Sequence, residues 1–355
     1  MKNNISNPLN SHPEEKFLSG KKIMFFTLGC RLNQADTGLI SARLSSAGGK
    51  IIETDSDEIP DIIIVNTCCV TASASQKSRQ AFRAFSKKYP NALMIASGCD
   101  CVADRERWQN ISVNGIFIGN KEKKSILDLI HANSYRDSAK NAAEKKNGFQ
   151  HSHKSNLKSQ ISDLESFENE NNNDTIFREN ASGLFPFKSR AFLKIQEGCN
   201  SNCTYCIVPK VRGLEKSRDK EEVICEFRSF INAGFKEIVI TGVNICAYRD
   251  GNDSLSDLLS RLSDISGDFR IRLSSTEPHP ESLKILNLMK ERKNICRFLH
   301  LPVQHCSNVI LKKMGRNYSI AKFADFLHLL ASEIDGIHIG TDIICGFPGE
   351  SQELF

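Results

Sequence analysis

Short runs of β-branched and other apolar residues, each followed by a stretch of helical character, recur along this chain and limit what it can fold into. Between Lys21 and about Ile130 the runs are KIMFFTL, DIIIVNT, ALMIAS and GIFIG, bounded by Gly, Asn, Pro or Asp. Strands that are apolar throughout, rather than alternating, are covered on both faces, which points to a parallel sheet flanked by helices. A helix is expected from about Gln34 to Ala47, ending at Gly48 and Gly49, and another from Ser75 to Tyr89, stopping before Pro90. The expectation for 21–131 is an open, doubly wound α/β unit.

From 132 to 184 the composition shifts to Asn, Lys, Ser, Glu and His, including the tract ESFENENNNDT. Almost nothing there could build a core, so a disordered or low-complexity linker is expected. His151 and His153 fall in it without further ligand types nearby and read as solvated. Across 185–355 the alternation resumes with AFLKIQEG, EIVITGVN, RIRLSST, FLHLPVQ and IHIGTDIICGF. Their spacing is that of successive β/α units, and five strands amount to a partial, TIM-like parallel barrel.

No apolar run approaches the ~20 residues that cross a bilayer, and the first twenty residues hold no signal-type apolar core. The chain therefore reads as cytoplasmic, with no membrane partner. A net charge of +5 permits a nucleic-acid partner without demanding one. Thirteen cysteines are then the anomaly. A reducing cytosol leaves thiols unpaired and an odd count is no disulfide framework, so metal or redox chemistry is the first expectation.

Cys199, Cys203 and Cys206 form C-x3-C-x2-C directly after the first barrel strand. Three thiolates so placed can hold three irons of a [4Fe–4S] cluster and leave the fourth iron open to substrate. A structural zinc would need four ligands and would have to recruit Cys225 or another distant cysteine. Cys30, Cys68 and Cys99 lie far apart, yet each follows the carboxyl end of an apolar run: TLGC, VNTC and ASGC. In an open parallel sheet those ends converge on one crevice, so a second three-thiolate cluster site is expected there, ordinary buried cysteines being the alternative. Strand alternation should turn Cys69 away from the crevice that Cys68 faces, and Cys101 lies beyond the turn that positions Cys99. Cys225 and Cys296 read as packing residues, and Cys246, Cys306 and Cys345 as lining the barrel mouth.

The segment EGCNSNCTYCIVPKVRG with the later EKSR, together with TLGCRLNQ, VNTCCVT, KSRQ and SGC, resembles the radical S-adenosylmethionine methylthiotransferases, over both folded regions. Within that family, TLGCRLNQ, NTC-x-VT and KSRQ are similar to the branch that adds a methylthio group to threonylcarbamoyl-adenosine beside the anticodon of tRNA. The branch acting on isopentenyl-adenosine typically has a different run after each cysteine. Cys69 and Cys101 stand where relatives usually carry a non-ligating residue.

The resemblance implies two [4Fe–4S] clusters and S-adenosylmethionine as cofactors, with tRNA, a low-potential electron donor and a sulfur source as partners. S-adenosylmethionine would be split reductively at the cluster on Cys199, Cys203 and Cys206, at potentials that reach about −700 mV for such clusters. The deoxyadenosyl radical would take hydrogen from C2 of the adenine, and the cluster on Cys30, Cys68 and Cys99 would carry the methylated sulfur. Also by resemblance, Thr241, Gly242 and Asn244 of TGVN approach the methionine end of the cofactor. Arg272 and Ser274 of RLSS lie at its ribose side, and Gly346 of ICGFPGE at its adenine side. Arg212 and Arg218 would make ionic contacts near the cluster loop. Read without the family, these are turns at barrel strand ends and surface guanidinium groups. Relatives continue into a sixth barrel strand and an RNA-gripping TRAM domain, so an incomplete barrel without that domain is expected. The alternatives are an inactive or RNA- and metal-binding remnant of the family, a zinc-stabilised RNA scaffold, or the isopentenyl-adenosine branch.

Overall fold

The run IIIVNT, expected to be covered on both faces, is the middle of the first sheet in the computed structural model, which describes residues 17–112, 115–133 and 189–355. Strands β1 (Lys22–Thr27), β2 (Lys50–Ile52), β3 (Ile62–Thr67), β4 (Leu93–Gly98) and β5 (Ile116–Ile118) are all parallel, in the order β2-β1-β3-β4-β5. Every residue of β3 is buried. β2 is not among the expected strands, because three residues with only Ile52 fully buried leave too short a signal.

Helices α1 (Arg31–Ser46) and α2 (Ala72–Lys88) both begin about a turn earlier than expected. For α2 the cause is Thr71, whose hydroxyl accepts the Ala74 N–H at 3.1 Å and caps the helix. Two short helices, α3 (Cys99–Ala103) and α4 (Arg105–Gln109), and a helix over 126–133 complete the unit. One sheet face packs Ile23, Ile64 and Ile95 against Ile40, Leu44 and Ile126. The other packs Met24, Ile63 and Val65 against Phe82, Trp108 and Phe117, with the Trp108 and Phe82 rings edge-on at 5.5 Å.

The second unit runs through β6 (Ala191–Lys194), a small antiparallel pair β7 (Gln196–Glu197) and β8 (Lys216–Ser217), and β9 (Glu237–Thr241). A second pair, β10 (Arg249–Asp250) and β11 (Asp253–Ser254), precedes β12 (Arg270–Leu273), β13 (Phe298–His300) and β14 (His338–Gly340). All five expected barrel strands are present and parallel. β6, β9 and β12 form one sheet, β13 pairs with β14, and the bridges Ile271–Ile295 and Ser275–His300 carry the curve between them. Helices Lys220–Asn232, Leu255–Ser263, Pro280–Glu291 and Ile320–Glu333 cover the outside, burying Phe227, Leu259, Ile285 and Leu330 against Ile238, Ile240 and Ile271. The expected linker lies outside the described residues apart from 132 and 133, and so do His151 and His153. Among the described residues no helix is long and apolar enough to cross a membrane.

α1 belongs to both units. Ile40 and Leu44 enter the core of its own sheet, whereas Ala42 is buried in the barrel core with Leu39 packed beside it. The helix consequently lacks one clean apolar stripe, since little of its circumference meets water. At the centre of this seam the Asp36 carboxylate, 3% exposed, receives Lys123 at 2.7 Å, Lys194 at 2.8 Å and Arg212 at 3.2 Å. Lys123 belongs to the first unit and the other two cations to the second, so the bridge fastens β6 and the residues after the C-x3-C-x2-C loop onto α1. Burial works against the charge of Asp36, but Lys123, Lys194 and Arg212 hold its carboxyl well below the usual carboxylate range.

Replacing one member of such a buried cluster leaves the others uncompensated, so Asp36→Asn should cost ~3–5 kcal/mol in urea unfolding at neutral pH. Because the folded-state value is depressed, this stabilisation is present above the unfolded value of about 3.9 and is lost as pH falls through the lower folded value. The difference between wild type and variant should therefore persist at about pH 5 and shrink only in stronger acid.

Candidate active site

Strand order in the first sheet reverses between β1 and β3, and the crevice beyond the carboxyl ends at such a point is where open α/β folds bind ligands. Cys30 follows β1 at the N-cap position of α1, Cys68 follows β3, and Cys99 follows β4 as the first residue of α3. Gly29 brings the first two together: its φ is +95°, and a Cβ there would lie 2.5 Å from the Cys68 Cβ. The Asn33 amide donates to the carbonyls of Leu28 at 2.8 Å and Thr67 at 2.9 Å, tying the two cysteine turns to each other. Burial pushes the Cys68 thiol up, and neighbouring Cys30 and Cys99 add to the effect, so both lie within electrostatic reach of Cys68.

Cys99 is the acidic member of this group. The neighbouring Cys69, together with Arg212 and the Asn120 amide, 3.5 Å away, favours its thiolate against the cost of burial. This corrects the expectation that Cys69 turns away. β3 ends at Thr67, and residues 68–71 form an irregular turn before α2, so strand alternation no longer governs where Cys69 points. Cys101 is buried in the core beside Trp108, its sulfur 3.7 Å from the Thr67 hydroxyl. Burial pushes its thiol up.

The C-x3-C-x2-C loop is held from three sides. Gly198, at φ +71°, lets it pass Leu214 so closely that a Cβ would run into the Leu214 carbonyl. Thr204 docks by its N–H on the Met314 carbonyl and by its hydroxyl on that of Lys313. Arg316, almost fully buried, donates to the Cys203 sulfur at 3.4 Å and to Glu277 at 2.8 Å. Cys199 receives the Ser201 N–H at 3.4 Å, while Cys206 feels both other thiols in addition to the burial that raises it. Among the described residues no three His, Cys, Asp or Glu side chains gather where one metal ion could sit. A four-iron cluster asks for something else, since each thiolate ligates a different iron.

The two trios share a wall. α3, which starts at Cys99, packs on the short helix Val208–Arg212 that follows Cys206. The Asn120 amide that touches Cys99 also donates to the Val211 carbonyl at 2.8 Å. Arg212 reaches Glu197 and Asn33, each at 2.6 Å, as well as Asp36, and its charge acts on Cys99 and Cys30. Its guanidinium is thus committed to the seam between the units. Arg218 pairs instead with buried Glu226 at 2.5 Å, which makes it a strut of the barrel wall.

Thr241 ends β9, buried, with Gly242 and Asn244 just beyond it, and the N–H groups of Val243 and Asn244 both donate to the Gln196 carboxamide oxygen at 2.9 Å. Ser274 follows β12 with its hydroxyl buried and without a partner among the described residues, an orphaned donor suited to a polar ligand at the barrel mouth. Gly346 lies in open space after β14, its N–H held by Glu350 at 2.7 Å. Arg272 departs from expectation. It bonds Glu237 at 2.8 Å and stacks on Phe298, the first residues of β9 and β13, at the barrel end opposite the cysteines. Cys306 and Cys345 are exposed, Cys246 is buried near Ser282, and Cys225 and Cys296 are half-buried. Gln196, Arg316 and Glu277 escaped the sequence reading. Only the burial of a glutamine between a strand and a cysteine loop, or an arginine after a glycine turn, could have marked them.

Residues 22–119 match the family described as uncharacterized protein family UPF0004, and residues 193–355 match the Radical SAM superfamily. The chain is 33% identical to the threonylcarbamoyladenosine tRNA methylthiotransferase MtaB of Chlamydia pneumoniae, over 92% of its own length and 68% of that protein. The figures for the MtaB of Bacillus subtilis are 33%, 94% and 68%. It is also 32% identical to the tRNA-2-methylthio-N(6)-dimethylallyladenosine synthase of Clostridium tetani, over 100% of this chain and 73% of that one. Among solved structures, the radical S-adenosylmethionine methyltransferase TsrM of Kitasatospora setae aligns with a TM-score of 0.60 at 13% identity. That alignment covers 94% of this chain and 69% of TsrM and is a likeness of fold.

Cys69→Ala removes the neighbour that most favours the Cys99 thiolate, so in the iron-free chain the alkylation midpoint of Cys99 should move to higher pH, read by mass spectrometry of labelled peptides. Cys101→Ala should leave thiol reactivity at Cys99 unchanged and cost roughly 1 kcal/mol of stability through lost packing.

Proposed function

Because the chain belongs to the radical S-adenosylmethionine methylthiotransferase family, and is on that account a transferase, we propose that it adds a methylthio group to C2 of N6-threonylcarbamoyladenosine beside the anticodon of tRNA. We assign the work to a first unit over 21–131 and a barrel unit over 185–355, each holding one [4Fe–4S] cluster. The observation that carries this reading is the shared wall: Asn120 and Arg212 touch or polarise Cys99 while fixed to the helix that follows Cys206. Sulfur chemistry at one trio and radical chemistry at the other need such adjacency.

The donor sets fit the groups assigned to them. Cys199, Cys203 and Cys206 would hold one cluster and Cys30, Cys68 and Cys99 the other, three thiolates each, leaving one iron of each open. When bound, the barrel cluster and S-adenosylmethionine supply one-electron reductive cleavage, and the first-unit cluster supplies a site for sulfur. Around them this chain's residues hold and orient. Gln196 pins the TGVN turn to the cysteine loop, so that Thr241, Gly242 and Asn244 keep a fixed relation to Cys199. The free Ser274 hydroxyl can accept or donate to a polar cofactor edge. Arg316, donating to Cys203, withdraws charge from that thiolate.

The threonylcarbamoyl branch rests on TLGCRLNQ, NTC-x-VT and KSRQ, since overall identity is nearly the same to both kinds of named relative. The isopentenyl-adenosine branch is the second reading. Deleting the gene should remove the methylthio group from threonylcarbamoyl-adenosine and leave the isopentenyl-type nucleoside intact, read by mass spectrometry of digested bulk tRNA. Loss of the other nucleoside instead would move the chain to the neighbouring branch. Replacing Cys199, Cys203 and Cys206 by alanine should abolish 5′-deoxyadenosine release from S-adenosylmethionine.

A further inference from the structure

α2 leaves the rim of the crevice and carries Lys77, Arg79, Arg83, Lys87 and Lys88 with no acidic residue at all. The KSRQ segment shows how these divide. Ser78 and Arg79 turn inward, Ser78 to the Cys68 N–H at 3.2 Å and Arg79 to Asp100 at 3.0 Å. Lys77, Arg83, Lys87 and Lys88 are exposed on the outer face, together with Gln76 and Gln80, and none makes an ion pair with any described residue. Lys88 lies over the Tyr89 ring at 5.0 Å. Several surface cations elsewhere are matched, as Lys22 and Lys50 are by Glu58 and Lys236 by Asp268.

From Lys77 to Lys88 this unmatched stripe runs ~17 Å along the helix axis. No large hydrophobic side chain is exposed on α2, which a protein-docking face would require at its centre. The stripe begins about a turn and a half into α2, which follows Cys69 and Val70, and Val70 projects into solvent at the crevice rim. A polyanion whose reacting base enters the crevice must lay its flanking backbone across that rim. Cations spaced along a rigid rod, with amides between them to take hydrogen bonds, suit phosphates read without sequence preference.

We infer that the outer face of α2 is the docking track for the RNA backbone flanking the reacting base, with Lys77, Arg83 and Lys87 on phosphates. The inference rests on the tRNA reading proposed above and adds the surface that binds the substrate. The test is binding of an unmodified anticodon stem-loop RNA to the cluster-loaded full chain and to its Lys77→Glu/Arg83→Glu/Lys87→Glu variant, between 50 and 200 mM salt. The variant should bind about tenfold or more weakly at the low-salt end, and the slope of log K against log salt should fall by about two to three. Its iron content and its release of 5′-deoxyadenosine from S-adenosylmethionine should equal those of wild type. The neutral Lys77→Gln/Arg83→Gln/Lys87→Gln variant should give the same loss of slope with a smaller loss of affinity. Wild-type affinity and slope in the reversed-charge variant would overturn this inference alone. Absence of RNA binding by the wild type at every salt, with cleavage of S-adenosylmethionine intact, would overturn the tRNA reading as well.

Discussion

A single buried carboxylate sets the relation between the two halves of this molecule. Asp36 sits on α1, yet two of its three cationic partners, Lys194 and Arg212, come from the barrel unit. Two carboxylates, Asp36 and Glu197, face three cations, so the cluster carries about one net positive charge into a region lined by thiols. That excess has a chemical use. A thiolate is harder to bury than a thiol, and a guanidinium within reach of Cys99 and Cys30 offsets part of that cost. The ion cluster thereby does two things through the same residues: it fixes the seam and favours the charge state in which cysteines ligate metal.

Everything at the crevice depends on that registration. The cysteines of the first unit are delivered by three separate strand ends, and Asn33 couples the first two of those ends by hydrogen bonds to the Leu28 and Thr67 carbonyls. The cysteines of the barrel unit sit in one loop, pinned by Gln196 on one side and by Arg316 and Thr204 on the other. Without α1 wedged between the sheet and β6, the two arrangements would each be intact and yet have no defined relation. Asn120, joined to Cys99 and to Val211, marks where the relation becomes a direct contact.

Much of this was legible in the chain because apolar runs and cysteine spacing are local signals. The continuous run at Ile62–Val65 announces a strand covered on both faces, and the five barrel strands fall where their runs predict. The placement of Cys30, Cys68 and Cys99 after strand ends follows from the same pattern. What escaped is what depends on tertiary contact. Asp36 looks like any polar residue in an amphipathic helix until its three partners arrive from 87, 158 and 176 residues away. Arg212 and Arg272 read as cofactor contacts, but one closes the seam and the other braces the far end of the barrel. Cys69 was expected to follow strand alternation, a rule that stops applying where β3 stops.

The central claim is that two three-cysteine sites, built by different units, stand against a common wall and load independently. Iron and acid-labile sulfide, counted per chain after anaerobic reconstitution, test it directly. The account predicts about eight irons in the wild type and about four when either Cys30, Cys68 and Cys99 or Cys199, Cys203 and Cys206 are replaced by alanine. About four irons in the wild type, all lost with one trio and none with the other, would contradict it.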